Sequence, residues 1–342
     1  MNLPRRLATA ATVALLLPCF AVPNAHALDL PGYESQLVGN PGNANDTTGY
    51  GAVGYAYEIF KYEVTIQQYA DFLSAAATTD PYSLYDTRMA SDLNIAGITR
   101  NGSSGSYTYS VIGGSGNKPI TYVSWFDAAR FANYVNTGDT ETGAYTLVGG
   151  QTSGVAPARN PGATFYVPTE NEWYKAAYYS PIRHSGSGGY YEFATQRNFG
   201  SNPGNVVGST ANQANYVTSN GLYSVTQSSS YDPTQNYLTD VGAFSNSSSY
   251  YGTFDQSGNV YEWNDLDGTA DSNRGLRGGY WGTALVHLSS GSRTENLAST
   301  ESGNIGFRLV SSVAVPEPST FASLAAGCAF GCWQMVRRRI AR

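Results

Sequence analysis

Three stretches of the chain repeat apolar residues at helical spacing, each behind a polar residue suited to cap a helix. Ile66, Tyr69, Phe72, Leu73 and Ala76 share one face of such a helix. Thr65 and Gln68 stand where a capping box satisfies the first free amide donors. A second helix starts over Ser124 to Asp127 and carries Trp125, Ala128, Ala132 and Val135 on one side. A third follows the capping box Thr169-Glu170-Asn171-Glu172, with Trp173, Ala176 and Ala177 behind it. Pro168 stops the strand before it from running on. β-rich runs predict strands over 57–62, 164–167, 275–280 and 305–310.

Between these elements lie long segments of Gly, Ser and Asn, above all 101–117 and 179–251. Scattered Tyr, Trp, Phe and Val argue against a disordered, mucin-like chain. Few helices, short strands and long ordered loops predict an α+β fold.

The ends read differently from the middle. Arg5 and Arg6 precede an apolar run over 7–22, and Ala25-His26-Ala27 gives a small-x-small cleavage site. This is the form of a secretory signal over 1–27, cut after Ala27 so that Leu28 leads the mature chain. Near the other end stand Pro316-Glu317-Pro318, a mostly apolar run over 321–336, and Arg337, Arg338, Arg339 and Arg342. As a helix that run rises only about 24 Å, short for a hydrocarbon core of about 30 Å, and its arginines would stay on the cytoplasmic side. The tail, 314–342, resembles a PEP-CTERM sorting signal. That resemblance implies processing by an exosortase-type enzyme in a Gram-negative bacterium. The destination would be the cell envelope, outer surface or extracellular matrix.

Charge sharpens the division. Of 19 basic side chains six lie in the terminal runs 1–27 and 321–342, leaving 13 against 25 acidic ones and a net charge of −12 over 28–320. Nucleic acid is excluded as a partner, because phosphate binding needs concentrated Lys and Arg. The cysteines, Cys19, Cys328 and Cys332, all lie in the ends. The middle therefore has no disulfide and no thiol for catalysis or soft-metal binding.

Six blocks within 55–312 resemble one family in its order. They are Lys61-Tyr62-Glu63-Val64-Thr65 leading into Tyr69 and Phe72; Pro119 through Trp125-Phe126-Asp127-Ala128; Tyr166-Val167-Pro168-Thr169-Glu170-Asn171-Glu172-Trp173; Phe254-Asp255-Gln256-Ser257-Gly258-Asn259-Val260-Tyr261-Glu262-Trp263; Arg277-Gly278-Gly279-Tyr280-Trp281; and Asn304-Ile305-Gly306-Phe307-Arg308. The resemblance is to the formylglycine-generating enzyme, or sulfatase-modifying factor, domain. It implies a C-type-lectin-like fold over 28–313. Its nearest likeness is to a PEP-CTERM subgroup that shares the opening over Gly42 to Gly51.

The family's enzymes oxidise a sulfatase cysteine with copper held by a cysteine pair between the fifth and sixth blocks. Here 281–305 has no cysteine. Cu(I) wants thiolate or thioether ligands, so no copper is expected. His184 and His287 are the histidines of the mature chain, too few for a three-ligand iron or zinc site. His184 is expected in a solvated loop and His287 partly buried in a strand. No Gly-x-Ser-x-Gly elbow or phosphate-cradling glycine loop occurs.

The family's structural calcium loop survives by resemblance. It implies Asp255 and Glu262 as side-chain ligands and Gly258 and Val260 as carbonyl ligands, with a second site beginning at Asn215. Calcium takes six to eight such oxygens. The alternative for Asp255 and Glu262 is a loop capped by hydrogen bonds alone. Arg277, Arg293 and Arg308 are expected to pair with buried carboxylates such as Glu172 or Glu262. His287 and Arg293 mark a candidate ligand cleft. These features predict a calcium-stabilised, lectin-like, non-catalytic domain that binds extracellular polysaccharide or an envelope protein, or serves structurally. The alternative is an enzyme with an altered, cysteine-independent site.

Overall fold

A computed structural model describes residues 33–312. The expected signal (1–27) and sorting tail (314–342) lie outside the described residues. Among the described residues no helix is long and apolar enough to cross a membrane.

All three expected helices form, and each starts with a closed capping box: Ile66–Ala76, Trp125–Thr137 and Glu170–Tyr178. In the first, the Gln68 amide donates to Thr65 Oγ1 at 3.2 Å while Thr65 N donates to Gln68 Oε1 at 2.9 Å. Satisfying two orphan donors reciprocally makes the start of each helix a local matter, legible in four residues. Trp125–Thr137 ends at Gly138, whose φ of 77° is the left-handed turn that glycine takes without penalty.

Two four-stranded sheets carry the framework. The first has the order Ser35–Val38, Tyr57–Phe60, Val310–Ser311, Phe165–Tyr166, antiparallel throughout. The second has the order Thr294–Leu297, Asn273–Arg277, Tyr261–Asn264, Ile305–Gly306, antiparallel except for a parallel last pair.

The strand expected over 305–310 is therefore divided between sheets. Ile305 pairs with Tyr261 in the second, and Val310 pairs with Ile59 and Tyr166 in the first. Phe307, Arg308 and Leu309 cross between them, with Phe307 O and Leu309 O accepting from Val64 N and Phe60 N. The strand expected over 275–280 begins at Asn273 and stops at Arg277, because Gly278 and Gly279 turn the chain at φ of 98° and 77°. Residues 101–117, expected as loop, contribute to a hairpin of Ile98–Asn101 and Thr108–Val111. The long stretch 179–251 is mostly irregular, as expected.

The core lies between the helices and the crossing segment. Phe72, Phe131 and Phe307 are fully buried, with Phe131 at 5.3 Å from Phe72 and 5.4 Å from Phe307, both edge-on. Trp263 Nε1 donates to Val123 O at 3.0 Å, so its buried indole leaves no polar atom open.

Candidate functional site

The loop from Asp255 to Glu262 sits at the meeting of both sheets. Asp255, Gly258 and Asn259 all have positive φ, at 62°, 100° and 64°. A Cβ at Gly258 would lie 2.3 Å from Asn215 O, so only glycine lets the two segments touch. Asn259 N donates to Asn215 O at 3.0 Å, and Asn215 Nδ2 donates to Tyr237 O and Asn259 Oδ1, each at 3.0 Å. Asn215, Gly258, Val260 and Glu262 are buried within this one neighbourhood.

Glu262 is committed there to a cation of the protein itself. Its Oε2 accepts from Arg308 Nε at 2.6 Å and from Trp173 Nε1 at 2.8 Å, and its Oε1 accepts from Arg308 Nη2 at 2.7 Å. Arg308 spends its other N–H groups on the carbonyls of Phe60, Lys61 and Phe254 at 3.1, 3.1 and 2.8 Å. As placed, Arg308 engages both Glu262 oxygens, so a calcium would have to share this carboxylate with the guanidinium. Asp255 stands more open: its Oδ2 accepts from Gly242 N at 2.6 Å. Burial pushes its carboxyl up to about 6, opposed by the Gly242 amide and Arg308 and aided by Glu262.

Glu63 joins the group unforeseen. Its Oε1 accepts from Asn259 Nδ2 at 3.2 Å, while its Oε2 has no hydrogen-bond partner and lies 3.9 Å from Arg308. Burial first, then Asp255, holds it well above the usual carboxylate range. Three carboxylates thus face one guanidinium, an arrangement that favours a proton or another cation beside Asp255 and Glu63. Among the described residues no three His, Cys, Asp or Glu side chains are placed as a metal-holding group. A calcium here would draw most of its oxygens from carbonyls and amides.

The sequence profile of the sulfatase-modifying factor enzyme 1-like domain matches residues 47–313. The chain belongs to this family. The α+β architecture of few helices, short strands and long loops is the family's fold in this chain. Among solved structures, CarF is similar at 21% identity, covering 83% of this chain and 100% of its own, with a TM-score of 0.47. Treponema denticola variable protein 1 is similar at 18% identity, covering 82% and 95%, with a TM-score of 0.45. PvdO from Pseudomonas aeruginosa is similar at 18% identity, covering 82% and 92%, with a TM-score of 0.41. No curated protein matches.

Within this sulfatase-modifying factor domain, Arg277 and Arg293 converge on Glu170 rather than Glu172. Arg277 Nε donates to Glu170 Oε1 at 2.7 Å, and Arg293 donates to both Glu170 oxygens at 3.0 and 3.1 Å. Glu172 is not free for them. It takes Thr169 N and Oγ1 at 2.7 and 2.8 Å and the Tyr55 and Tyr166 hydroxyls at 2.8 and 2.9 Å. Arg293 also donates to Glu295 at 2.6 Å.

His287 is not partly buried in a strand. It lies exposed on the 3-10 helix Leu285–Leu288. His184 is exposed in a tight turn with φ of 50°, as a loop histidine should be. The pocket beside the 3-10 helix, about 500 Å³, is lined by Phe199, Pro203, Val217, Leu285, Val286 and neutral neighbours, and neither His287 nor Arg293 lines it. Glu63 and Glu170 were the partners that the sequence hid. Each sits inside a family block, at a position where burial becomes visible only after folding.

Proposed function

We propose that this chain is an exported protein, sorted to the envelope or matrix, whose domain is non-catalytic and binds a glycan or protein, or serves structurally. The carrying observation is the state of segment 281–305. It holds no cysteine, its Arg293 is consumed by Glu170 and Glu295, and its neighbouring pocket is lined by apolar and neutral side chains. A redox or acid–base centre needs titratable groups converging on a cleft, and no His, Cys, Asp, Glu, Lys or Arg lines the pocket beside it. The signal at Ala25 and Ala27 and the tail at Pro316, Glu317 and Pro318 support export and processing by an exosortase-type enzyme. Calcium, carried at Asp255 with the carbonyls of Gly258 and Val260 and with Asn215 nearby, is the proposed stabilising ion.

The test is incubation of the purified protein with a cysteine peptide of sulfatase type, copper and oxygen, read by mass spectrometry. No formylglycine is expected, and its formation would refute the reading.

An enzyme with an altered, cysteine-independent site is the second reading. Its specific support is the pocket of about 350 Å³ lined by Tyr33, Tyr62, Glu63 and Asp240, where Tyr33 and Glu63 each have a buried oxygen without a partner.

A further inference from the structure

On the other side of Asn215 and Asn259 from the carboxylate cluster, a set of aromatic rings is ordered in a way that burial alone does not require. Tyr231, Tyr237 and Trp281 form a stack. The first two rings are 5.8 Å apart with planes 9° from parallel, and the next two are 4.7 Å apart at 11°. Tyr223 leans across the middle at 4.7 Å from Tyr237, and Tyr280 meets Trp281 edge-on at 5.7 Å. Tyr237 is buried, Tyr223, Tyr280 and Trp281 are half-buried, and the outermost ring, Tyr231, is 53% exposed.

The exposed ring is nonetheless held. The Tyr231 hydroxyl donates to Asn94 Oδ1. Asn94 Nδ2 in turn donates to Asp232 O at 3.2 Å and Gln235 O at 2.9 Å. Asp232 N donates to the Tyr237 hydroxyl at 2.8 Å, and Tyr237 N donates back to Asn94 O at 2.9 Å. Fixing an exposed side chain costs conformational entropy and recovers little burial. The same rigidity lowers the cost of binding a ligand. Beside the stack, Trp281 Nε1 is a buried donor without an acceptor.

We propose that the outward face of Tyr231, the open end of this stack, is a seat for one pyranose ring of a neutral polysaccharide. It rests on the reading of the domain as a binder and names what it binds. Aromatic faces carry the negative side of the ring quadrupole. A sugar ring offers the complement, a face of slightly positive C–H groups with hydroxyls at its rim that can donate to the Tyr231 oxygen. Nucleobases stack on aromatic platforms by similar means, but single-strand binders add a basic groove for the backbone. Here no Lys or Arg occurs between Arg197 and Arg274, the stretch that carries Tyr223, Tyr231 and Tyr237. Lys118, from elsewhere in the chain, donates to Leu238 O at 2.5 Å and pairs with Asp240 at 3.5 Å, so its charge is already met. Nucleic acid and anionic glycans are thereby disfavoured, and a neutral chain is selected.

The test is native electrophoresis of the purified protein through gels containing dextran, pullulan or galactomannan, with polygalacturonate as the anionic comparison. At least one neutral polymer should retard the protein. Tyr231→Ala should weaken that retardation by about tenfold in protein that still melts cooperatively, the scale of one lost aromatic stack. Tyr231→Phe keeps the ring and should keep most of the binding, and Phe199→Ala, at the apolar pocket, should keep all of it. No retardation by any neutral polymer, undiminished retardation of Tyr231→Ala, or stronger retardation by polygalacturonate would each overturn the platform. Formation of formylglycine would instead strike the non-catalytic reading and leave the gel result standing.

Discussion

Arg308 and Glu262 are joined by two hydrogen bonds, Nε to Oε2 at 2.6 Å and Nη2 to Oε1 at 2.7 Å, with neither side chain exposed. Arg308 lies where the chain crosses from one sheet to the other, and Glu262 lies in the second sheet. The guanidinium also collects carbonyls from the end of the strand Tyr57–Phe60 and from Phe254. One ion pair thus ties both sheets to the 255–262 loop.

Arg308→Met should therefore destabilise strongly, because it leaves Glu262 charged and unpaired in the interior. The expected loss is about 3–5 kcal/mol in chemical denaturation. A loss below about 1 kcal/mol would show that water or a metal ion already serves Glu262.

Calcium should raise the melting temperature and a chelator should reverse the rise. Saturation at a hundredfold above Kd stabilises by about 2.7 kcal/mol. Asp255→Ala should remove the response. A melting temperature indifferent to calcium in the unaltered protein would exclude the ion as a staple of the fold.

Stability should fall as pH rises from about 4 to about 6. Burial pushes Asp127 and Asp265 up to about 6 from 3.8, opposed in part by hydrogen bonds from Ser124 to Asp127 and by Arg274 beside Asp265. Across that window the folded chain holds protons that the unfolded chain has released, so raising pH favours unfolding. The stabilisation is complete below the unfolded value and is lost through the folded one. Asp127→Asn keeps an oxygen to accept from Ser124 N and should flatten the slope by about 1–3 kcal/mol over the window. A variant with an unchanged slope would place the Asp127 pKa near its ordinary value.

Gly258→Ala should cost more than the roughly 1 kcal/mol of an unstrained exchange, since φ is 100° and its Cβ would press on Asn215 O. Urea unfolding measures it. Gly291→Ala, where a Cβ meets nothing within 4 Å, is the matched control and should be nearly neutral.

The helices were legible because a capping box and a helical stripe are written within about a dozen residues. Thr65, Ser124 and Thr169 each cap the helix that their own neighbours build. The strands were less so. A run such as 305–310 is apolar enough for one strand, yet its hydrogen bonds go to two sheets, and no local pattern records which edge is vacant. His287 read as strand for the same reason: Leu285, Val286 and Leu288 look β-prone until the chain turns at Gly279 and Gly282 and leaves them as one 3-10 turn.

By itself, the sequence determined the family, the α+β class, the capped helices, the acidic balance and the absence of a thiol between Cys19 and Cys328. These are properties of composition and of short-range order, which need no partner distant in the chain. Tertiary structure alone decided that Arg308 takes Glu262, that Arg277 and Arg293 share Glu170, and that Tyr231, Tyr237 and Trp281 stack. Charge pairing and ring stacking act over a few ångströms between residues scores of positions apart. Only the folded backbone sets which of many equivalent partners comes within reach.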